Sequence, residues 1–291
     1  MQSITRQVME LPAAAALSSL PMNTSMSSHR HATRPVGDLL REWRQRRRMS
    51  QLDFAVEAEI SSKHLSFLET GRSQPSREMV LHLAELLEVP LRERNSLLIA
   101  AGFAPMFKEH ALTDPELRPA REAVELVLRG HQPYPAVAVD RHWQLIAAND
   151  AANFFMTGVA PALLAAPLNV LRATLHPDGM APRIVNLAQW RAHVLARLRR
   201  QIEVSADAVL ADLLKELSEY PAPAYIAEPA TSAVPYAVPF RLATDAGVLS
   251  FISMTTVFGT PVDVTLSELA LESFFPADAA TAAALRSLAQ Q

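Results

Sequence analysis

The sequence predicts a multi-domain chain: an all-α domain of five helices, followed by an α+β domain with an antiparallel sheet. Three observations predict it. Between Pro35 and Gly102, serine caps and helical apolar spacing recur, and no β-type run interrupts them. Beyond Lys108, strand-type runs stand towards both ends, with helical sequence between them. The chain has 291 residues, long enough to bury two separate cores.

The first helix is expected over 36–48, with Val36, Leu39, Leu40 and Trp43 on one face and arginines on the rest. Ser50 is a good N-cap with Asp53 three residues on, so a second helix covers 51–58. Glu59 and Ile60 make the turn. Ser61 caps a third helix over 62–70, and Gly71 stops it at the left-handed position. Ser76 caps a fourth, ended near Leu87 by Val89-Pro90. A fifth covers 91–101 and closes at Gly102.

In the second domain, Asp114-Pro115 opens a helix to Arg129, whose Leu117, Val124 and Leu128 could pack on either domain. Residues 136–139 and 143–147 read as a hairpin around Asp140-Arg141-His142. Helical pieces are expected over 149–156 and 160–173, a long helix over 183–204, and another over 206–220 capped by Ser205. The proline-rich stretch 221–239 reads as loop or edge strand. Strands over 236–242 and 248–258 meet at Asp245-Ala246-Gly247, and 264–274 alternates weakly enough to be a further strand. Asp278 caps a final alanine-rich helix. A sheet with helices over one face would enclose an apolar pocket.

Composition excludes several classes of chemistry. The chain has no cysteine, so disulfides, thiol nucleophiles and cysteine-bound metals are ruled out, and a reducing cytoplasm fits. No histidine pair has metal-site spacing such as HExxH, so no metal site is expected. There is no GxSxG and no glycine-rich phosphate loop, and Asp140, Asp178 and Asp263 lack an evident basic or nucleophilic partner; an enzyme is not expected. No apolar run approaches the roughly 20 residues that span a bilayer. Residues 1–33 read as a flexible leader of small and polar residues rather than a secretory signal, and Met22 or Met26 could be the true start. The net charge of −3 hides an asymmetry. From His29 to Ser50 stand seven arginines against two acids, whereas from Lys108 onward 14 basic residues face 19 acidic ones. A basic edge on an acidic body suggests that one part alone binds a polyanion.

The segment Ser50 to Ser76, SQLDFAVEAEISSKHLSFLETGRSQPS, has the layout of a DNA-reading helix-turn-helix. Leu52, Phe54, Ala55, Ile60, Leu65 and Leu68 are placed as its scaffold. Ser62, Lys63, His64, Ser66 and Phe67 lie along the start and exposed side of its second helix. Lys63 could reach a guanine edge or a phosphate, and the serines could donate to either. Phe67 suits a thymine methyl or packing on the fourth helix. Gln51 sits at a helix N-terminus suited to a phosphate. Arg72 and Arg77 could grip the backbone, and Arg44 to Arg48 lie either near phosphates or on a solvated face.

Residues 36–87 resemble the Xre/phage-repressor-like helix-turn-helix family through SQ at 50–51, the small Ala55, IS at 60–61, LSFLETGRSQPS at 65–76 and LAELLEVP at 83–90. The departure is Glu59, where that family often has glycine. The resemblance implies base and phosphate contacts at Gln51, Ser62, Lys63, Ser66 and Phe67. Further motifs follow: PLRERNSLLIAAGFAP at 90–105, PYPAVAVDRHWQLIAAN at 133–149, HPDGMAPRIVNLAQW at 176–190 and TTVFGTPVDVTLSELALESFFPAD at 255–278. With these, the chain resembles the MmyB-like transcription regulators. That resemblance implies an Xre-type domain at 34–107, a PAS-like ligand-binding domain at 108–291, and a fatty-acid-like ligand in place of a cofactor.

Candidate pocket residues are Phe154, Phe155, Met156, Leu171, Trp190, Val194, Phe251 and Phe258, each of which also suits ordinary core. Arg183 and His193 are candidates to meet a carboxylate head group, with His176 better read as part of a turn. The expected partners are double-stranded DNA, an amphipathic small molecule and a second copy of the chain in a homodimer, with no membrane. The rival is an antitoxin-like regulator whose second domain binds a partner protein and no metabolite.

Overall fold

The computed structural model describes residues 34–223 and 237–289. The expected leader over 1–33, with His29 and His31, lies outside the described residues. So do Tyr236, the expected start of a strand, and most of the proline-rich stretch.

The helical domain contains α1 (Val36–Arg46), α2 (Gln51–Glu57), α3 (Ser62–Glu69), α4 (Arg77–Leu86) and α5 (Leu91–Ala100). Its three serine caps act as expected. Ser50, Ser61 and Ser76 accept hydrogen bonds from the backbone N–H of Asp53, His64 and Met79. Leu40, Phe54, Ala55, Leu65, Leu68, Val80, Leu83 and Leu98 close the core. Leu52, expected in the scaffold, is instead 63% exposed; Phe54 and Ala55 fill the inward positions of so short a helix. The close approach between helices rests on Gly37. A Cβ there would stand 2.3 Å from the carbonyl oxygen of Leu68. Glu59 adopts φ 53, the left-handed conformation for which glycine would cost less.

The second domain follows as α6 (Arg118–Gly130), β1 (Ala136–Val139), β2 (Leu145–Ala148), α7 (Pro161–Leu164), α8 (Val170–Leu175), α9 (Leu187–Ser205), α10 (Ala208–Glu219), β3 (Phe240–Thr244), β4 (Gly247–Val257), α11 (Val264–Ser267), β5 (Ala270–Pro276) and α12 (Ala279–Leu288). All strand pairs are antiparallel, and the sheet order β2-β1-β5-β4-β3 is PAS-like. Alternation along β1 sends Val137 and Val139 into the larger core with α8, α9 and α10. Ala136 and Ala138 face the other way, against Val124 and Leu128 of α6. Helices therefore cover both faces, not one, because α6 seats on a face kept shallow by alanines.

Five details differ from the sequence reading. Trp143 leaves the strand with φ 65, so β2 starts at Leu145. The single helix expected over 160–173 is two short ones, interrupted at Pro167, where a helix cannot continue. The long helix starts at Leu187, not Arg183. Ahead of it Ile184 bridges Leu242 and the Val185 N–H donates to Arg241, which holds this stretch extended along β3. Asp207, not Ser205, caps α10, because the Ser205 hydroxyl donates to Gln201 and accepts from the Asp207 N–H. Within 264–274, a turn of helix precedes β5 where one strand was expected; the Asp263 carboxylate caps that turn.

Candidate DNA-binding face and ligand cavity

On the helical domain, Lys63, Phe67 and Arg72 stand together. The Lys63 ammonium lies 5.6 Å from the Phe67 ring centroid and the Arg72 guanidinium 5.9 Å. Phe67 is half-buried beside these two cations. Ser62 and Lys63 are exposed, whereas His64 and Ser66 are half-buried. Arg77 is exposed on the first turn of α4.

Arg44 is placed elsewhere, and its expected phosphate contact is corrected. Arg44 is 9% exposed, and its guanidinium pairs with Glu69 through contacts of 2.6 and 2.9 Å, with a further 2.9 Å bond to the Met49 carbonyl. The Glu69 bond holds the Arg44 pKa above its ordinary value against the opposing effect of burial. Glu69 also receives the Gln51 side chain at 3.0 Å, which turns that amide towards the protein. Arg47 donates to the carbonyls of Leu87 and Glu88 and so closes the end of α4. Two of the arginines nearest the motif are thus structural. A buried acid within an otherwise ordinary helix, Glu69, was the sequence signal for such a partner.

In the second domain, a cavity of about 80 Å³ lies between the sheet and the helices α8 and α9. Phe155, Met156, Leu171, Trp190, His193 and Val194, all expected, line it. Trp190, His193, Val194 and Arg197 form one helical stripe on α9. Across from them, Glu272 and Phe274 share a face of β5, with Ser253 paired to Phe274 on β4.

Four expected wall residues lie elsewhere. Phe251 is fully buried behind the wall in an aromatic cluster with Phe155, Phe240 and Phe274. Phe154 lines a separate hollow of about 420 Å³ with Gln132, Asp150 and Leu285. Phe258 packs on the opposite sheet face beneath α6, because it follows the end of β4 and crosses to that side. Arg183 does not reach the cavity. Its guanidinium donates to the carbonyls of Thr157, Phe154 and Phe155, tying down the end of the 3-10 segment Asp150–Met156.

The sequence reading missed both charged residues of the cavity lining, Glu272 and, on α9, Arg197. Arg197 forms a bidentate pair with Glu272, donates to the Thr255 hydroxyl at 2.7 Å and lies 4.5 Å over the Trp143 ring. Glu272 is only 4% exposed. An acid within the apolar run of β5 and a basic residue one turn beyond His193 were the available signals. Burial, followed by the charges of Arg197 and Arg200, lowers the His193 pKa, so its imidazole is neutral at neutral pH. The indole Nε1 of Trp190 is buried with no hydrogen-bond partner among the described residues.

The cavity connects to the helical domain. At one end of α9, Trp190 to Arg197 line the cavity; just past the other end, Ala206 packs against the core of the helical domain. Gln201 of α9 accepts from the Trp143 indole at 2.9 Å and donates to the Arg141 carbonyl at 3.1 Å.

Residues 120–288, more than half of the chain, match the family model of the MmyB-like transcription regulator ligand binding domain. Residues 35–97 match the model of a helix-turn-helix domain. No curated protein matches the chain. No helix among the described residues is long and apolar enough to cross a membrane.

Proposed function

The chain belongs to the MmyB-like transcription regulators, and from that premise we propose that its second domain senses an amphipathic, fatty-acid-like molecule and thereby sets the DNA affinity of the first. That it is a DNA-binding regulator with a ligand-binding domain follows from the two family matches. The finer reading is carried by one observation: an aromatic-walled cavity with a polar end, on a helix whose far end abuts the DNA-binding core. Apolar walls with a few convergent polar groups are the usual form of a small-molecule site. Met156 and Met180 line the cavity, and their unbranched side chains can move to admit a longer chain.

On this reading the DNA contacts come from Lys63, Phe67 and Arg72, with Ser62, Ser66 and the N-terminus of α2 at Gln51 supplying further donors. The protein acts as a homodimer on a two-fold operator, as helix-turn-helix regulators do when half-sites repeat once per helical turn. It acts in the compartment that holds the DNA.

Native mass spectrometry of the purified protein tests the sensor reading. A co-purified apolar molecule, absent from a Trp190→Ala variant that remains folded, supports it. A stoichiometric partner protein with no small molecule would replace it with the partner-binding, antitoxin-like alternative.

A further inference from the structure

The solvent side of α6 divides into two unlike flanks. Val124 and Leu128 pack towards the sheet. One flank carries Arg118, Glu122, Glu125 and Arg129, tied into i,i+4 pairs at 3.8 and 3.3 Å. The other carries Ala123, Leu126 and Val127, all exposed and uncharged. At about 100° per residue, Ala123 and Val127 fall on the opposite side of Val124 from Glu125 and Arg129. His131, one turn beyond Val127, packs on Phe275 of β5 at 4.7 Å between ring centroids. The apolar flank is therefore the one that looks towards β5 and β4.

The same face of the sheet stays open beyond β5. Alternation along β4 sends Leu249, Phe251 and Ser253 to the cavity side, and Val248, Ile252 and Met254 to the α6 side. Ile252 pairs with Phe275 across the strands. Leu126, Val127, Phe275, Ile252 and Met254 thus form one apolar patch across helix and sheet. Leu126 is 66% exposed, Met254 57% and Phe275 38%. Single exposed apolar residues are ordinary, but a contiguous patch marks a contact surface.

The rim of the patch points to what covers it. Glu122, one turn before Leu126, is exposed at the helical edge. Arg241 of β3 pairs with Ser250, faces the same way as Ile252, and is exposed at the opposite edge. A two-fold axis through the patch carries Glu122 of one copy towards Arg241 of the other, and the reverse. The face is complementary to itself. We infer that two copies of the chain meet through this face of the second domain, with the apolar patch as the buried core and Glu122 against Arg241 at the rim. This rests on the homodimer of the reading above and names the surface which that reading left open.

Sedimentation equilibrium of the full chain at micromolar concentration tests it, with circular dichroism to verify folding. The wild type is expected to be a dimer. Leu126→Asp and Met254→Asp are each expected to weaken it about ten-fold or more, since each buries a charge in the core of the contact. Glu122→Arg and Arg241→Glu, at exposed positions, serve if those variants do not fold. Each alone sets like charges together and is expected to weaken the dimer, whereas an equimolar mixture of the two is expected to associate as the wild type does. A dimer indifferent to all four substitutions, or a mixture no tighter than its components, would overturn this surface and leave the homodimer reading standing. A monomeric wild type would overturn both, and if Met254→Asp then lowered the urea midpoint, the patch would belong to another segment of the same chain.

Discussion

Arg92 of α5 holds Glu268, just past α11, through two nitrogen–oxygen contacts of 2.8 and 2.9 Å, so a bidentate pair joins the DNA-binding domain to the ligand-binding domain. The same arginine meets Glu109 at 2.6 Å, and Arg141 of the β1–β2 turn approaches Glu268 at 3.5 Å. Arg141 adjoins His142 and Trp143, and Trp143 lines the cavity. The clasp and the cavity therefore share one short turn. Asn95 secures the intervening chain, accepting from Met106 and Phe107 and donating to the Phe107 carbonyl at 2.7 Å.

Replacing Arg92 by alanine is expected to separate binding from response. The side chains are 25% and 19% exposed, so the loss of stability should be larger than for a surface pair and smaller than for a fully buried one. Ligand affinity should be unchanged, because Arg92 is not part of the cavity lining. The ratio of DNA affinities with and without ligand should fall towards unity, as read by paired anisotropy titrations.

Two basic residues of the helical domain should fail in opposite ways. Lys63→Ala is expected to weaken DNA binding by about 1–3 kcal/mol if it reads a base, with stability within about 0.5 kcal/mol of the wild type for so exposed a site. Arg44→Ala leaves the buried Glu69 with only Arg41 at 3.5 Å and the Gln51 amide at 3.0 Å, and should cost about 1–3 kcal/mol of folding stability. Urea unfolding and gel-shift titration of both variants check the contrast. A stable Arg44→Ala protein with weak DNA binding would return Arg44 to the DNA face.

Gly37→Ala probes the contact between α1 and α3. The added methyl would meet the backbone carbonyls of Leu68 and Glu69 at 2.3 and 2.8 Å, and backbone cannot rotate away as a side chain does. Overpacking of this kind costs about 1–3 kcal/mol. A lowered urea midpoint is expected, although alanine is ordinarily the better helix former.

Acid should loosen the junction beside the β1–β2 turn. Burial alone would raise the Asp207 pKa, but the His142 hydrogen bond at 2.9 Å and the charges of His142 and Arg141 hold it down to about 2. Its folded value therefore lies below its unfolded one. The stability it contributes is present above the ordinary carboxylate value and fades as pH falls from about 4 to about 2. Asp207→Asn, which keeps a capping oxygen for α10, should show a shallower loss of stability across that window in acid titrations followed by circular dichroism.

The helical domain was legible because its signals are local. Serine caps at 50, 61 and 76 and apolar spacing along each helix set boundaries without reference to distant residues. The strand order of the second domain follows from its resemblance more than from any local pattern. The cavity was half legible for a related reason. Phe155, Leu171, Trp190 and His193 are apolar or aromatic residues on amphipathic elements, and periodicity finds those. Arg197 and Glu272 are 75 residues apart in sequence, and only the packing of α9 on β5 brings them together. The misassignment of Arg183 and Arg44 has one cause: a guanidinium that ties backbone or a buried acid looks, in sequence, the same as one that awaits an anion.

The central claim is that the cavity of the second domain sets the DNA affinity of the first. The most direct test is a fluorescence anisotropy titration of a duplex obtained by selection from random sequences, with the full chain, in the presence and absence of a saturating amphiphile. The dissociation constants should differ by about five-fold or more, the usual lower range for coupled sites. Identical constants, with calorimetry showing the amphiphile bound throughout, would contradict the account.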